Sequence, residues 1–572
     1  MNDFANTLLQ LFLYILRIIT PFFALLIIYQ CFSSLRNHRR QEQPLITLGN
    51  LATRDLIPVI YWENSIGRGK TCDIRLGDNT VSRDHAVLYR REDAWLIADT
   101  NSKSGVMVNG TKIDKPTPVY IGDTVAVGST VLVMQKADRA RKARASWFFD
   151  GREQKTSASP VTLLFLTSLL HFILALQLCF AGEGFSPAPF LPYALMTGAA
   201  WVFFLVSRLA FHRASFELET LAFLLSGVGI ILIGGYDLGS TYMQIATMAM
   251  GMVLFSFMIW FLQEPDRVTK WRLWIAAAAV AVDGFQRDHP LQGAAVAVLG
   301  INLIIGTAVN GSKNWIIIGP ISIQPSEFVK IALILVGTST LARLQTTKNL
   351  TEFIGFSAVC VGALFLMSDF GTACIFFLTF LIIAFIRSGD VRTIIFIVAA
   401  ACLGAFLILQ FKPYIADRFA VWGHAWEYLN DTGYQQARVM SYAASGGLFG
   451  VGVGQGSLQY VFASTSDLIF GMLCEETGLL FAIIIAAVIA GLAFYARAIS
   501  ATSRSTLYSI AACSVGGMFV FQSCLNIFGA TDLLPLTGVT LPFVSMGGSS
   551  MMACWGLLSF IKAADERTYQ GI

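Results

Sequence analysis

Asp467 is the residue of this sequence best placed for acid–base chemistry, because it stands where a polar segment meets a long apolar run. An ionisable side chain in or at the edge of a membrane span is costly, and it is a functional candidate by default. A carboxylate there can take a proton from a hydroxyl while the hydroxyl oxygen attacks an electrophilic carbon. The alternative is that Asp467 only caps the apolar helix that follows it.

The glycines, histidines and cysteines do not form the motifs of a phosphate-binding loop or of a metal site. The glycines between Gly446 and Gly456 include no GKS or GKT and no ordered GxGxxG, so we expect them to form tight turns. The six histidines lack ligand spacing, and the ten cysteines include no CxxC. A dedicated zinc site and a disulfide framework are therefore not predicted.

The composition predicts that a membrane protein holds these residues. Of the 572 residues, 55% are hydrophobic and only 13% are charged, whereas an average soluble domain carries about 25% charged residues. This excludes a disordered chain and an ordinary soluble enzyme, and the length leaves room for one soluble domain. The net charge of +4 is too small to indicate a nucleic-acid partner.

Apolar stretches long enough to cross a bilayer of ~30 Å recur along the chain, about 13 in all. Residues 1–35 form the first, an anchor followed at once by Arg36, Arg39 and Arg40. Positive residues stay on the cytoplasmic side, so we expect the N-terminus outside. A cleaved signal peptide is the competing interpretation, which the acidic start and the lack of a small-x-small site disfavour.

The other predicted spans alternate with charged turns, which supports the same topology independently of any motif. Two spans are assigned to residues 160–215 and ten spans to residues 216–564. The polar loop at about residues 411–466 is predicted to lie on the outer side of the membrane. Residues 271–290 are interpreted as an interfacial helix or an irregular start to the next span. The twelve spans lie near residues 160–181, 191–211, 216–235, 242–262, 291–308, 326–343, 353–367, 371–388, 392–411, 468–495, 506–528 and 541–563.

Residues 41–135 have a different character, with charged residues alternating with Val, Ile and Leu between recurrent turn pairs. This pattern predicts an all-β sandwich inserted between the anchor and the other spans. A basic linker at residues 136–158 leads back to the membrane, and basic flanks on both sides place the sandwich in the cytoplasm.

Four motifs of this module together resemble the forkhead-associated (FHA) domain, a β-sandwich that binds phosphothreonine peptides. They are residues 65–70 (SIGRGK), 72–76 (CDIRL), 80–86 (TVSRDHA) and 99–110 (DTNSKSGVMVNG). The resemblance places Arg68 and Ser82 on the phosphate, Arg83 and Ser104 in the peptide-binding loops, and His85 beneath them as a structural residue. An arginine fork and a hydroxyl suit a phosphate group with its three acceptor oxygens.

The module departs from the FHA pattern in its last loop. Many family members have Asn and Thr where this chain has Ser104 and Val106. We therefore expect peptide affinity or selectivity to differ. The alternative is a degenerate sandwich that serves only as a protein-binding surface.

The polar motifs of the C-terminal half are similar, in type and order, to those of the SEDS family. These RodA, FtsW and SpoVE proteins polymerise peptidoglycan from lipid II. The resemblance covers about residues 216–564 as a ten-span core. The motifs are residues 310–316 (NGSKNWI), 323–330 (IQPSEFVK), 368–372 (SDFGT), 433–436 (GYQQ), 445–447 (SGG), 454–456 (GQG), 466–470 (SDLIF), 475–478 (EETG) and 534–549 (LPLTGVTLPFVSMGGS), with Asn526.

The resemblance makes Asp467 the family's essential acid, where many relatives have Thr-Asp-Phe and this chain has Ser-Asp-Leu. The leaving lipid pyrophosphate needs positive charge or a metal. Lys313, Lys330 and Arg418 are cationic candidates for substrate binding, together with Gln435 and Ser545 of the motifs.

Ion pairing inside the bundle is the alternative role of these cations, with Glu327, Asp369 or Glu475 as partners. We expect Glu327 and Glu475 to be structural. Family members are reported to use divalent cations, so Mg²⁺ or Mn²⁺ is a candidate cofactor, although the sequence shows no dedicated metal cage.

The sequence thus predicts a multi-span α-helical membrane protein with an inserted cytoplasmic FHA sandwich. The resemblance implies a cell-membrane glycosyltransferase that polymerises lipid II outside during elongation or division. Its implied partners are a class B penicillin-binding protein and a phosphothreonine-containing protein. A lipid II flippase and a membrane scaffold for FHA-dependent signalling are the alternatives.

Overall fold

The computed structural model describes most of the chain. The described residues are 2–37, 44–69, 72–91, 94–137, 159–182, 184–209, 215–262, 290–309, 312–318, 321–342, 347–388, 395, 397–399, 402, 419–500, 503 and 505–565. The stretch at 271–289, nearly all of the predicted span at 392–411 and most of the basic linker lie outside them.

Two antiparallel sheets pack face to face between residues 44 and 137, as the alternating pattern predicts. The strands are β1 (Ile46–Asn50), β2 (Leu56–Val59), β3 (Glu63–Gly67), β4 (Ile74–Arg75), β5 (Ala86–Arg91), β6 (Ala94–Asp99), β7 (Val106–Val108), β8 (Thr111–Lys112), β9 (Thr117–Val119), β10 (Thr124–Val127) and β11 (Thr130–Lys136). One sheet has the order β4-β3-β5-β6-β9 and the other β2-β1-β11-β10-β7-β8, with β3 and β4 the parallel exception. The inner faces of the two sheets bury a core that includes Ile66, Leu88, Ile97, Val127 and Leu132.

The rest of the described chain is a helical bundle with one small antiparallel sheet. That sheet consists of β12 (Thr307–Val309), β13 (Ser312–Ile318) and β14 (Ile321–Ile323). The helices are α1 (Asn2–Asn37), α2 (Pro160–Cys179), α3 (Phe190–Leu209), α4 (Glu217–Tyr236), α5 (Leu238–Leu262), α6 (Pro290–Ile305), α7 (Pro325–Ala342), α8 (Thr347–Leu366), α9 (Phe370–Ser388), α10 (Tyr434–Ser445), α11 (Ile469–Thr477), α12 (Leu479–Ser500), α13 (Thr506–Ala530) and α14 (Gly548–Ala564).

Seven helices among the described residues are long and apolar enough to cross a bilayer. They are α2, α3, α4, α5, α12, α13 and the Thr7–Ser34 part of α1. Shorter apolar helices at Ala295–Ile305, Phe353–Leu366 and Phe370–Ile386 accompany them. The chain is therefore a multi-pass membrane protein, as its composition predicts.

Two of the predicted spans are wrong in detail. The span predicted over residues 468–495 is two helices, because Gly478 has φ +89° and ends α11 before α12 begins. Residues with a side chain rarely adopt a positive φ, whereas glycine does so readily. The span predicted over residues 541–563 begins as irregular backbone, since α14 starts only at Gly548. The second departure lies beside the turn that carries Asp467, because Ser545 donates to the Ser466 carbonyl.

Helix α13 shows that the sandwich and Asp467 lie at opposite ends of the bundle. At its start, the backbone N–H of Thr506 donates to Glu63 of the sandwich, 2.9 Å away. Near its end, Asn526 donates to the carbonyl of Asp467 at 2.9 Å. Twenty helical residues rise about 30 Å, the thickness of the hydrocarbon core. We call these the sandwich end and the Asp467 end.

A buried ion pair joins the first turn of α4 to the last turn of α14 at the sandwich end. The Lys562 ammonium lies 2.9 Å from a Glu219 carboxylate oxygen, and both side chains are fully buried. Lys562 also donates to the carbonyl and the hydroxyl of Ser215, at 2.7 and 3.0 Å. Removing one member would leave an uncompensated charge in the bundle.

We expect Lys562→Met to lower the free energy of unfolding in mixed micelles by about 3–5 kcal/mol, the cost of stranding a buried charge. Adding Glu219→Gln should recover part of this loss. Arg208→Met, which removes an exposed cation at the end of α3, is the control and should change little. An equal loss in the single and the double variant would contradict this assignment.

Candidate functional site

An extended segment, residues 532–547, runs into the Asp467 end of the bundle and carries most of the last sequence motif. Irregular backbone at membrane depth cannot form hydrogen bonds with bulk water, so its peptide groups need hydrogen-bond partners within the protein. Three buried amide side chains supply them: Gln244 of α5, and Gln522 and Asn526 of α13. We call these three residues the amide clamp.

Each member of the clamp binds backbone at a different point of the segment. Asn526 donates to the carbonyls of Val539 at 2.7 Å and Asp467 at 2.9 Å. Gln522 donates to the Thr540 carbonyl at 2.9 Å, and Gln244 donates to the Ser545 carbonyl at 3.1 Å. The clamp therefore fixes the segment and ties it directly to the turn that carries Asp467.

Asp467 lies in a tight turn just before α11, half-buried, and not in a helix. Its N–H donates to the Ala463 carbonyl at 3.0 Å. Its carboxylate faces Gly538, where a Cβ would lie 3.3 Å from Oδ2. Gly538 also has φ +69°, so glycine both permits the bend and leaves the carboxylate room.

The helix-capping alternative for Asp467 is not what the structure contains. The N-cap residue of α11 is Leu468, whose side chain forms no capping hydrogen bond. The turn is held from outside the helix instead: the Ser545 hydroxyl donates to the Ser466 carbonyl at 2.6 Å, and the Met546 N–H donates to the Thr465 carbonyl at 2.7 Å.

The predicted substrate-binding residues are only partly brought together. Ser545 holds the Asp467 turn, and Gln435 donates to the Phe462 carbonyl at 3.0 Å, so it contacts the chain just before that turn. Lys330 is buried and lies 2.8 Å from a Glu327 carboxylate oxygen. Arg418 lies outside the described residues. Only the backbone position of Lys313, in β13, is described.

The geometry of Lys330 favours the ion-pair alternative. Beyond Glu327, its ammonium donates to the amide oxygen of Gln522 at 3.1 Å. An amide whose oxygen is engaged presents its NH₂ group to the other side. Lys330 thereby orients Gln522 toward Thr540, and it supports the extended segment without meeting solvent.

Glu475 and Glu476 organise the glycine-rich loop, residues 446–458, around α11. The Glu475 carboxylate accepts the N–H groups of Ser457 at 2.7 Å and Leu458 at 2.9 Å. Glu476 accepts the Gly454 N–H at 2.7 Å. The loop makes the tight turns expected of it, with positive φ at residues 447, 450, 452 and 454.

Asp369 is a second buried carboxylate near the segment. It accepts hydrogen bonds from the side chains of Asn314 at 2.8 Å and Gln324 at 3.1 Å, and from the Thr372 N–H at 3.1 Å. These donors are all neutral. Asp369 is thus not the partner of a described cation.

Sequence reasoning missed Gln244 and Gln522, which lie at the centre of this network. A signal existed, because an amide inside an apolar helix must find a hydrogen-bond partner or carry a desolvation penalty. The periodic pattern alone did not say which backbone each amide would meet.

The sandwich loops that the sequence predicts to bind a peptide are held by a second polar network. His85 is fully buried; its Nδ1 accepts the Ser82 N–H at 2.9 Å, so its Nε2 carries the proton and donates to the Gly105 carbonyl at 3.1 Å. The Ser104 hydroxyl donates to the Thr80 carbonyl at 3.2 Å. Arg68 donates to Asn79 at 3.0 Å.

Arg68 and Arg83 are exposed, with Ser82 partly buried between their loops. Hydrogen bonds from Ser129, Thr80 and Thr130 hold the pKa of the nearby Asp78 carboxyl well below its usual range. The network positions one hydroxyl and two cations around an open surface, which suits a phosphate.

Among the residues that the structure describes, no three His, Cys, Asp or Glu side chains lie close enough to hold a metal ion. The chemistry proposed below uses the chain's own groups.

Comparison with known proteins matches both parts of the chain. A family model described as cell cycle protein, FtsW/RodA/SpoVE, matches residues 242–570, and the FHA domain model matches residues 64–128. The probable peptidoglycan glycosyltransferase FtsW of Dichelobacter nodosus is 34% identical over 290 residues, 48% of this chain and 72% of that protein.

Two further similarities agree with these matches. Stage V sporulation protein E of Bacillus subtilis is 31% identical over 258 residues, 43% of this chain and 69% of that protein. A solved chain, from work on the structural coordination of polymerization and crosslinking by a peptidoglycan synthase complex, superimposes with a TM-score of 0.50. It is 23% identical and covers 62% of this chain and 98% of its own, which supports the fold alone.

We expect Asn526→Leu to loosen the Asp467 turn, because it strands two buried carbonyls at a cost of about 1–3 kcal/mol each. Hydrogen exchange should become faster at residues 538–541 and 465–468 while α1 stays protected. Phe528→Leu, at a partly exposed position on the same helix, is the control. Unchanged exchange in Asn526→Leu would show that the clamp does not hold the segment.

Proposed function

Because the chain belongs to the FtsW/RodA/SpoVE family and carries an FHA domain, we propose that it is a peptidoglycan glycosyltransferase. It would polymerise lipid II into glycan strands during cell elongation or division. The observation that carries the proposal is that Asp467 lies half-buried at the end of the bundle remote from the sandwich, on a turn whose backbone the clamp binds. The name of the Dichelobacter nodosus relative, a probable peptidoglycan glycosyltransferase, supports it.

In the proposed reaction, Asp467 takes the proton of the acceptor sugar hydroxyl. That oxygen forms a bond to the anomeric carbon of the donor lipid II. The bond from that carbon to the undecaprenyl pyrophosphate breaks, and its electron pair leaves with the pyrophosphate. General-base catalysis needs the carboxylate within hydrogen-bond reach of the hydroxyl, and a turn fixed on several sides can hold it there.

The remaining site residues take different parts in the proposal. Ser545 and Gln435 shape the turn around Asp467, whereas Lys330 and Glu327 act as a structural pair. Glu475 supports the outer loop. Lys313 and Arg418 stay the candidates for stabilising the leaving pyrophosphate, because that charge needs cations.

We also propose the orientation of the chain. The Asp467 end and the N-terminus face outward, and the FHA domain lies in the cytoplasm. Arg36 lies in the last turn of α1 and Arg39 and Arg40 follow that helix, and basic residues belong to cytoplasmic flanks. The rise of α13 supports placing Asp467 and the sandwich on opposite sides of one bilayer.

We propose two protein partners. A class B penicillin-binding protein would supply transpeptidation, which rests on the family resemblance. A phosphothreonine-containing protein would bind at Arg68, Ser82, Arg83 and Ser104, which rests on their open arrangement and on the FHA match. This second partner would connect polymerisation to a Ser/Thr kinase.

We expect Asp467→Asn to lower lipid II polymerisation by about 10²–10⁴-fold, the usual contribution of a positioned general base. The measurement is the yield of glycan chains from labelled lipid II with the purified chain and a candidate partner. Asp237→Asn is the matched control, because Asp237 is an exposed carboxylate that only caps α5.

Two results, one with purified protein and one in cells, would contradict the enzyme proposal. Movement of labelled lipid without glycan chains, unchanged in Asp467→Asn, would favour a flippase. Cellular function that tolerates Asp467→Asn but not Arg68→Ala would favour a scaffold.

We expect Arg68→Ala to abolish binding of a degenerate phosphothreonine peptide pool to the full chain, since it removes the phosphate's arginine fork. Lys115→Ala, at an exposed turn of the sandwich, should bind as the unaltered chain does. Fluorescence anisotropy with the phosphorylated and unphosphorylated pools measures this. Equal binding of both pools would refute phosphate recognition.

A further inference from the structure

The sandwich contacts the bundle through two adjacent residues, Trp62 and Glu63, at the start of β3. The Glu63 carboxylate accepts the N–H of Thr506 at 2.9 Å through one oxygen and the hydroxyl of Ser505 at 3.2 Å through the other. Thr506 is the first residue of α13. The contact therefore falls on the N-terminus of the helix that carries two members of the amide clamp.

Helix α13 lacks the capping groups that a helix ordinarily supplies for itself. Its N-cap, Ser505, is a favoured capping residue, yet its side chain makes no capping bond, and the first turn contains no acidic residue. The first N–H groups of a helix have no intrahelical partner and carry partial positive charge. Glu63 supplies both the acceptor and the negative charge, so the sandwich caps α13.

Trp62 adds an apolar contact beside this polar one. Its ring meets the ring of Tyr508 edge to face, with centroids 6.0 Å apart and planes at 69°, a favourable aromatic geometry. Trp62 also packs against the hydrophobic core of the bundle. The hydroxyl of Tyr508 donates to the Leu262 carbonyl at the end of α5. This hydrogen bond fixes the Tyr508 ring that Trp62 contacts.

The peptide-binding surface stays open while these contacts are made. Arg68 follows β3 directly, five residues after Glu63, and it is exposed. At about 3.3 Å per residue, Glu63 and Arg68, the latter in the loop predicted to bind the phosphate, lie roughly 16 Å apart along the chain. A phosphorylated partner can therefore bind without displacing the sandwich from the bundle.

We propose that Trp62 and Glu63 form an intramolecular docking surface whose partner is the N-terminus of α13, and that phosphopeptide binding affects polymerisation only through this dock. The effect of phosphopeptide binding on polymerisation rests on the proposed function. The path has two rigid elements: β3 joins the phosphate loop to the dock, and α13 joins the dock to Gln522 and Asn526. Linkage requires that the bound peptide and the docked state change each other's free energy by the same amount.

The test compares the full chain with Trp62→Ala/Glu63→Gln, in which the dock is removed. Hydrogen exchange at the amides of residues 505–509 should become about tenfold faster, because the cap is lost. Tyr120→Ala/Asp114→Asn changes an exposed aromatic and an exposed acid elsewhere on the sandwich, and it should leave this exchange unchanged. Binding of the phosphothreonine peptide pool reports that the sandwich stays folded in every variant.

The second measurement is glycan-chain yield from lipid II with and without the peptide pool. We expect the pool to change the yield in the unaltered chain and in the control variant, but not in the undocked variant. Unchanged exchange in the undocked variant would overturn the dock. If the peptide pool still changes the glycan-chain yield of the undocked variant, the proposed route from peptide to active site is overturned. It is also overturned if the pool leaves the yield of a polymerising unaltered chain unchanged.

Failure of the proposed function gives a different result. If no preparation forms glycan chains, the glycosyltransferase proposal falls, while hydrogen exchange alone still decides whether the sandwich caps α13.

Discussion

The need to satisfy peptide groups away from water is the constraint on which the Asp467 end depends. Residues 532–547 enter the bundle without forming a helix, and each unpaired carbonyl there would carry a desolvation penalty. Gln244, Gln522 and Asn526 meet that need from two helices. Because Asn526 binds the backbone carbonyls of both Val539 and Asp467, the hydrogen bonds that satisfy the segment also fix the backbone of the turn that carries the carboxylate.

Two buried ammonium groups of the described residues, those of Lys330 and Lys562, are each paired with a buried carboxylate. Lys330 pairs with Glu327 and orients Gln522, and Lys562 pairs with Glu219 at the opposite end. Neither pair meets solvent, so each acts on the packing of helices. The exposed cations Arg68 and Arg83 lie on the sandwich instead, where a phosphate can reach them. Burial thus separates structural charges from those available to a ligand.

Helix α13 connects features that the sequence presents as separate modules. Its first residue is capped by Glu63 of the sandwich, and its last turns hold the extended segment. The family pattern predicted the bundle and the FHA pattern predicted the sandwich, and both are present. Neither pattern contains the contact between them, because Trp62 and Glu63 lie before the matched FHA residues or at their edge.

The sequence by itself determined the membrane class, the sandwich and the location of the acid, because hydropathy, alternation and motif order are local properties of the chain. The tertiary structure decided the rest. It divided the stretch at 468–495 at Gly478, delayed α14 to Gly548 and turned Lys330 inward. It also chose which carbonyl each clamp amide meets. These outcomes depend on partners tens to hundreds of residues away, and no local pattern records which distant group will satisfy a buried donor.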